Sequence, residues 1–319
     1  MSVSRPTLRQ LEYVAAIAEH GSFSRAAAAM FVSQPALSAQ IAELERRLGA
    51  SLFERGRSHC APTATGEVIL RRVRSILLDV DDLVREVGAH RDSVAGVIRI
   101  GAIPTIAPYL LPTLSQTLRR LWPNAELELV ELRSSELVDS IHAGEIDLGL
   151  IARPVDTGPL HVADLAFEPF VIAAAEGHPI LRQKKIKPES LRSLDVMVLE
   201  DGHCLRYHVL NVCDIAKATN RRSAVRTSLP VLTQMVASSN AVTLLPLTSV
   251  EVEARIGTGI STVPLSDPTL GRTLSITWRA RDPRSGHFEL MINDLAENVR
   301  EQLRISSHAM LSRLITSNR

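Results

Sequence analysis

Apolar and polar positions fall into three rhythms along the 319 residues. The first, 1–64, is made of short helical patterns broken at Gly21, Gly49 and Gly56. Leu8, Leu11, Ala15 and Ala18 predict a first helix ending near Gly21. Ser22-Phe23-Ser24 offers an N-cap to an Ala-rich helix running to Met30, and Phe31-Val32 is the turn. Ser33 caps a third helix with Pro35 in its first turn, where a missing N–H costs nothing. That helix buries Leu37, Ile41, Leu44 and Leu48. Leu52–Arg57 and Cys60–Thr63 read as a short β-wing.

The second rhythm fills 65–92. Ile69, Val73, Ile76, Val80, Leu83 and Val87 make a stripe of period 3.5 on one long helix. Such a helix can lie on its own domain or pair with a second copy. The narrow two-in-seven stripe favours pairing.

From 93 to 319 the pattern alternates. Strands are predicted at Val97–Ile103, Leu127–Leu132, Asp147–Ile151, Phe170–Ala175, Val196–Leu199, Val242–Leu245 and Leu274–Trp278. Helices fall at Pro108–Leu121, Ser135–Ala143 and roughly His287–Gln302, and the tail after Ile305 carries no assignment. Alternation of this kind predicts parallel sheets with right-handed crossovers. The length suits two α/β lobes of periplasmic-binding-protein type with a ligand cleft between them.

Composition narrows the function. Hydrophobic residues are 45% and charged residues 22%, an ordinary globular balance. No apolar run is long enough to span a bilayer, and the stretch Tyr13 to Ala18 is too short for a signal peptide. A cytoplasmic protein without membrane contact is expected. Three cysteines exclude a disulfide scaffold. The net charge of +1 gives no bulk attraction to nucleic acid. Any phosphate affinity must therefore come from placement. No nucleotide-binding glycine loop, H-E-x-x-H or G-x-S-x-G occurs, so neither a cofactor nor a metal is expected.

Short helix, tight turn and a second helix with polar residues at its start form a helix-turn-helix. Gln34 can reach a base edge, and Ser33 and Ser38 a base or phosphate. Arg25, Pro35, Gln40 and Arg55 complete the candidate DNA-facing set, with Arg57 near the backbone. A plain three-helix packing domain fits the same pattern. The residues themselves go further. Leu8-Arg9-Gln10-Leu11-Glu12-Tyr13, Gly21-Ser22-Phe23-Ser24-Arg25-Ala26-Ala27, Val32-Ser33-Gln34-Pro35-Ala36-Leu37-Ser38, Leu44-Glu45-Arg46-Arg47-Leu48-Gly49 and Leu52-Phe53-Glu54-Arg55 resemble the LysR-type transcriptional regulators, in order and at that family's spacing. The resemblance implies a winged helix-turn-helix that binds double-stranded operator DNA. It also implies a linker helix that pairs in a dimer, and a two-lobed effector domain.

Glu200-Asp201-Gly202-His203-Cys204-Leu205-Arg206 lies between a strand and a helix, and Cys213 follows nine residues after Cys204. Four readings compete: two buried small residues, a metal site using His203, Cys204, His208 and Cys213, a catalytic thiol, or a redox switch. Adjacent His203 and Cys204 suit a metal poorly. His203, Arg206 and a helix start all favour a thiolate at Cys204, which favours the switch. Cys213 has no cation beside it in sequence and suits a resolving role. On a helix the two would stand about 13 Å apart, whereas a disulfide needs Cα atoms within about 7 Å. The segment would have to unwind, and closing the loop is worth roughly 2–3 kcal/mol.

Leu199 to Arg206, the step to Cys213, Ile103 to Pro112, and Val242-Thr243-Leu244-Leu245-Pro246 resemble the peroxide-sensing members of the LysR-type family. That resemblance implies Cys204 as peroxidatic and Cys213 as resolving cysteine. It implies a peroxide pocket holding Thr105, Ser134, His203, Arg206 and Arg272, and a homo-oligomer built as a dimer of dimers. Ser134 stands where the family usually has threonine. Tyr207-His208 replaces a common acidic residue and Pro230 a usual glutamate, expected to alter the switch helix and stiffen its lobe. Cys60 reads as an inert residue of the wing. Three functions remain distinct: a hydrogen-peroxide-responsive regulator, a regulator answering a metabolite in the cleft near Thr105, and a two-cysteine thiol peroxidase.

Overall fold

The computed structural model describes residues 5–55, 60–89, 94–200, 204–215 and 222–317. The chain divides into two compact units, Met1–His90 and Arg91–Arg319.

In the first unit, α1 (Leu8–His20) opens on a capping box in which Thr7 and Gln10 satisfy each other's backbone N–H. It buries Leu11, Tyr13, Val14 and Ile17. Leu8 is exposed, so the buried face is rotated from the one the spacing predicted. The tertiary partners α2 (Phe23–Ala29) and α3 (Gln34–Leu48) decide that rotation. Ser22 sits at the N-cap of α2 without a side-chain cap bond. The Ser33 hydroxyl accepts from the Ala36 N–H, Pro35 lies in the first turn, and α3 ends on left-handed Gly49. Leu37, Ile41 and Leu44 reach the core, while Leu48 stays exposed. Strands β1 (Phe53–Arg55) and β2 (Cys60–Pro62) pair antiparallel as the wing, with Cys60 buried.

Helix α4 (Ala64–Ala89) packs against α1. Its Leu70 and Val73 are buried in the N-terminal core, with Ile69 and Leu77 against it. Ile76, Leu83 and Val84 are exposed. The single stripe expected from Ile69 to Val87 is thus divided: Ile69 and Val73 serve their own unit, and Ile76 and Leu83 are left open.

The second unit carries one mixed sheet in the order β4-β3-β5-β11-β6-β9-β7-β8, with β10 beside β6. Its strands are β3 (Gly96–Ala102), β4 (Ala125–Glu131), β5 (Leu148–Arg153), β6 (Leu160–Ala175), β7 (Val196–Leu199), β8 (Arg222–Val225), β9 (Val242–Pro246), β10 (Ile260–Pro264) and β11 (Gly271–Arg279). Pairs around β3 and β7 are parallel, as expected, but β6, β10 and β11 run antiparallel to their neighbours. The purely parallel expectation fails because hydrophobic alternation is blind to strand direction. β6 follows β5 without an intervening helix, so no crossover imposes parallel pairing. Strands β8 and β10, and the first half of β6, carry too little apolar alternation to be predicted.

Two clusters define two lobes. One gathers Ile100, Leu114, Leu148, Ile276 and Phe288 beneath α5 (Ala107–Leu121) and α6 (Ser134–His142). The other gathers Ile172, Leu205, Val212, Leu244 and Val263 with α7 (Cys204–Ile215), α8 (Leu229–Ala237) and α9 (Val250–Glu253). β6 runs through both, pairing β11 first and then β9 and β10. Helix α10 (Ser285–Ser317) extends well past the predicted end near 302. It buries Phe288, Met291, Leu295 and Val299 in one lobe and Met310 in the other, a change of partner that blurs its periodicity.

Candidate functional site

Two sets of side chains carry candidate chemistry. In the first unit, α3 presents Gln34 and Pro35 exposed and Ser38 half-buried, and Gln34 Nε2 donates to Ser38 Oγ at 3.3 Å. Both side chains therefore stand together at the helix N-terminus, the end that attracts phosphate. Ser33 spends its hydroxyl on the cap. Gln40 Oε1 accepts from Gln10 Nε2 at 3.2 Å, which ties α3 to α1. Arg25 is exposed on α2. Arg55 ends β1, but its side chain and all of Arg57 lie outside the described residues. The turn contains a feature sequence reading missed: Phe31 is 94% exposed at φ 54, a left-handed conformation costly for a bulky side chain. Arg9 Nη2 donates to the Met30 carbonyl at 3.2 Å and so braces this turn.

In the second unit, two of the candidate sensor residues, Thr105 and Arg272, are in direct contact. Thr105 lies in the connection from β3 to α5 and is buried. Arg272 on β11 is also buried. It donates to Thr105 Oγ1 at 2.7 Å, to the Thr105 carbonyl at 2.9 Å and to Glu168 Oε2 at 2.7 Å. Glu168 in turn accepts from the Thr248 N–H at 2.8 Å and from its hydroxyl. A buried charge needs such a pair, because desolvation without one costs several kcal/mol. The neighbouring Gly271 has no room for a side chain: a Cβ there would stand 2.2 Å from the Glu168 carbonyl oxygen. Glu168 and Thr248 were not identified from sequence. The only available signal was that a buried arginine requires a counter-charge, and sequence does not say which carboxylate supplies it.

Cys204 is the first residue of α7, at the positive end of the helix dipole, half-buried and packed against the first lobe's cluster. Cys213 is buried in the second lobe's cluster. Nine helical residues put the two on opposite faces, roughly 13 Å apart along the axis. No disulfide joins them. Arg206 Nη1 donates to the Leu199 carbonyl at 3.3 Å, the end of β7. Ser134 is half-buried at the start of α6. The adjacent Arg133 donates to Glu200 at 3.1 Å across the lobes, and Arg226 donates to the same carboxylate at 2.7 Å. Arg226 first, then Arg133, holds the Glu200 carboxyl below the usual range. His203 lies outside the described residues.

Of the departures noted in the sequence, Tyr207 is 60% exposed, whereas His208 is buried. Burial and the Arg272 charge push the His208 imidazole down to about 4. Pro230 occupies the first turn of α8 and leaves its carbonyl to accept from Thr233 at 2.7 Å, a position that suits proline without strain. A second buried link between lobes runs from the Tyr109 hydroxyl to Glu253 at 2.7 Å, with Thr233 donating to the other carboxylate oxygen at 2.9 Å. Burial and Glu253 push the Tyr109 phenol up, so it remains a donor. Among the described residues no group of three or more His, Cys, Asp or Glu side chains is arranged to hold a metal, and no helix is long and apolar enough to cross a membrane.

Two family models match the chain. Residues 8–67 match the bacterial regulatory helix-turn-helix protein of the lysR family, and residues 91–300 match the LysR substrate binding domain. A probable hydrogen peroxide-inducible genes activator of Streptomyces viridosporus is 35% identical over 94% of this chain and 95% of its own. The HTH-type transcriptional regulator EstR of Acinetobacter baylyi is 34% identical over 91% and 96%. A full-length OxyR variant from Pseudomonas aeruginosa superposes with a TM-score of 0.76 at 33% identity, covering 93% of this chain and 95% of that one.

Proposed function

This chain belongs to the LysR family of DNA-binding transcriptional regulators, and on that footing we propose that it senses hydrogen peroxide through Cys204 and Cys213 and reports the result to operator DNA. The family is one of regulators and not of enzymes, which removes the thiol-peroxidase reading. The observation that carries the proposal is the placement of the two thiols on one helix. Cys204 opens α7 beside the lobe junction, and Cys213 is buried on the opposite face.

The chemistry follows from that placement. The nucleophile is Cys204 as its thiolate, the form in which a cysteine attacks. The thiolate attacks one peroxide oxygen, an S–O bond forms, the O–O bond breaks, and the departing hydroxide takes up a proton to become water. Thr105, Ser134, His203, Arg206 and Arg272 build the pocket. Thr105 keeps a hydrogen to donate, since its oxygen accepts from Arg272. The Cys213 thiol then condenses with the sulfenic acid, releasing water and closing the disulfide. The two sulfurs cannot meet while α7 is intact, so the segment must unwind.

Residues 1–64 bind DNA through Arg25, Ser33, Gln34, Pro35, Ser38, Gln40 and Arg55, residues 65–92 pair two copies, and residues 93–319 sense. Refolding of the switch segment repacks contacts between effector domains in a dimer of dimers and so changes how the DNA heads meet their half-sites. The protein works in the cytoplasm, where thiol systems reset the disulfide. Similarity to peroxide-inducible activators over nearly the whole chain supports this reading.

Non-reducing peptide mass spectrometry after one equivalent of hydrogen peroxide tests it. A linked peptide containing Cys204 and Cys213, reversed by dithiothreitol and lost with its DNA response in Cys204→Ser, is the expected result. Two thiols that stay reduced would overturn it. A second reading, a metabolite-responsive regulator, loses the expected cleft at Thr105, which is buried, and draws instead on an open groove of about 630 Å³ lined by Arg153, Asp156, Asp164, Tyr207 and Thr273. Calorimetric binding of a small molecule, with no peroxide effect on DNA affinity, would favour it.

A further inference from the structure

Residue His208 lies one helical turn beyond Cys204 on α7. Positions four apart share a helix face, so the imidazole and the thiol stand on the same side, with Cβ atoms about 5–6 Å apart. The residue is only 3% exposed. Its surroundings come from three strands: the Phe170 ring of β6 at 6.0 Å between centroids, the Ala152 backbone of β5, and Arg272 of β11. The Ala152 backbone carries the ring's hydrogen bond, while Nε2 is buried without a partner. With the proton held at the other nitrogen, Nε2 bears a lone pair. A buried acceptor left unsatisfied is costly, so the position calls for a donor.

We propose that His208 is a further ligand-binding residue of the peroxide pocket, its Nε2 accepting a hydrogen bond from an O–H of hydrogen peroxide bound at Cys204. The inference rests on the peroxide-sensing reading above. Thr105 supplies the complementary group. Its oxygen accepts from Arg272 and its hydrogen remains to be given, so the junction offers a donor and an acceptor to a molecule that has both at each end. Burial, and after it the Arg272 charge, keep the imidazole neutral, which suits acceptance. His208 therefore orients the O–O bond towards the Cys204 sulfur. It forms no bond itself, and the proton balance of the oxidation is unchanged.

The test compares two oxidants on the full-length reduced protein. Hydrogen peroxide has O–H groups to donate, whereas diamide oxidises a dithiol without offering one. In His208→Leu the second-order rate constant for oxidation by peroxide should fall about tenfold, the worth of one hydrogen bond in a transition state. Rates of diamide oxidation and of iodoacetamide alkylation of Cys204 should stay within about twofold. His208→Gln, whose amide oxygen can accept, should recover most of the peroxide rate. Equal losses with both oxidants would assign His208 to the packing of α7 and overturn the proposal, as would an unchanged peroxide rate in His208→Leu. A wild-type chain that diamide oxidises and peroxide does not would overturn both this inference and the sensing reading beneath it.

Discussion

Phe31 holds a left-handed backbone with almost its whole side chain in solvent, so its strain is not offset by packing. Replacing it with glycine should raise stability by up to about 1 kcal/mol, seen as a higher midpoint in urea for the N-terminal unit. The opposite holds at Arg272. Arg272→Met leaves Glu168 buried without its cation and should cost about 3–5 kcal/mol, read from thermal or urea unfolding of the reduced chain. His208 adds a pH dependence. Its imidazole binds a proton near pH 4 when folded and near 6.5 when unfolded. Between those values the unfolded chain holds more protons. The stability contribution is therefore complete above about pH 6.5 and is lost as the pH falls towards 4, by up to roughly 3 kcal/mol. A difference curve between wild type and His208→Gln isolates that slope.

At the scale of elements, α4 and α7 each divide their residues between two jobs. Along α4, Leu70 and Val73 stabilise the N-terminal unit while Leu83 and Val84 are 70% exposed. Val73→Ala should lower the stability of that unit by about 1–3 kcal/mol. A paired Leu83→Glu and Val84→Glu change should leave that stability untouched and weaken self-association in sedimentation velocity. If the charged pair changed nothing in sedimentation, α4 would have no role in pairing. The period-3.5 stripe was legible in the sequence, but its division between two partners was not, because spacing does not distinguish the neighbours that a helix face meets. Helix α7 shows the same limit. The step from Cys204 to Cys213 put the thiols about 13 Å apart by arithmetic alone. Only the packed structure puts one against the first lobe and the other inside the second.

On the scale of the whole molecule, the two lobes share β6, α10 and the buried Thr105–Arg272–Glu168–Thr248 chain of hydrogen bonds. Unwinding α7 has consequences beyond its own turns, since Leu205, Val209 and Val212 all leave the second lobe's core with it. Hydrogen exchange should therefore show amides 205–212 losing protection on oxidation, together with strand β7 beneath them. Protection in α3 should not change. Exchange confined to α7 would mean that the disulfide forms without disturbing the lobe.

Local chemistry in the sequence was enough to determine the helix-turn-helix, with its Ser33 cap, Pro35 and closing Gly49, along with the long helix after it, the alternation of the effector unit and the pair of cysteines. Each of these depends on neighbours within a few residues, through capping, backbone conformation and side-chain period. Strand direction, the reach of α10, the split face of α4 and the identity of the groups around Arg272 were decided only in three dimensions. Those features come from residues far apart in the chain: Arg272 finds Thr105 across 167 positions and Glu168 across 104. Whether a charge or an imidazole is buried is set by everything that packs around it. That is why His208 entered the sequence reading as a departure from a pattern and has, in the folded protein, a buried ring nitrogen without a partner.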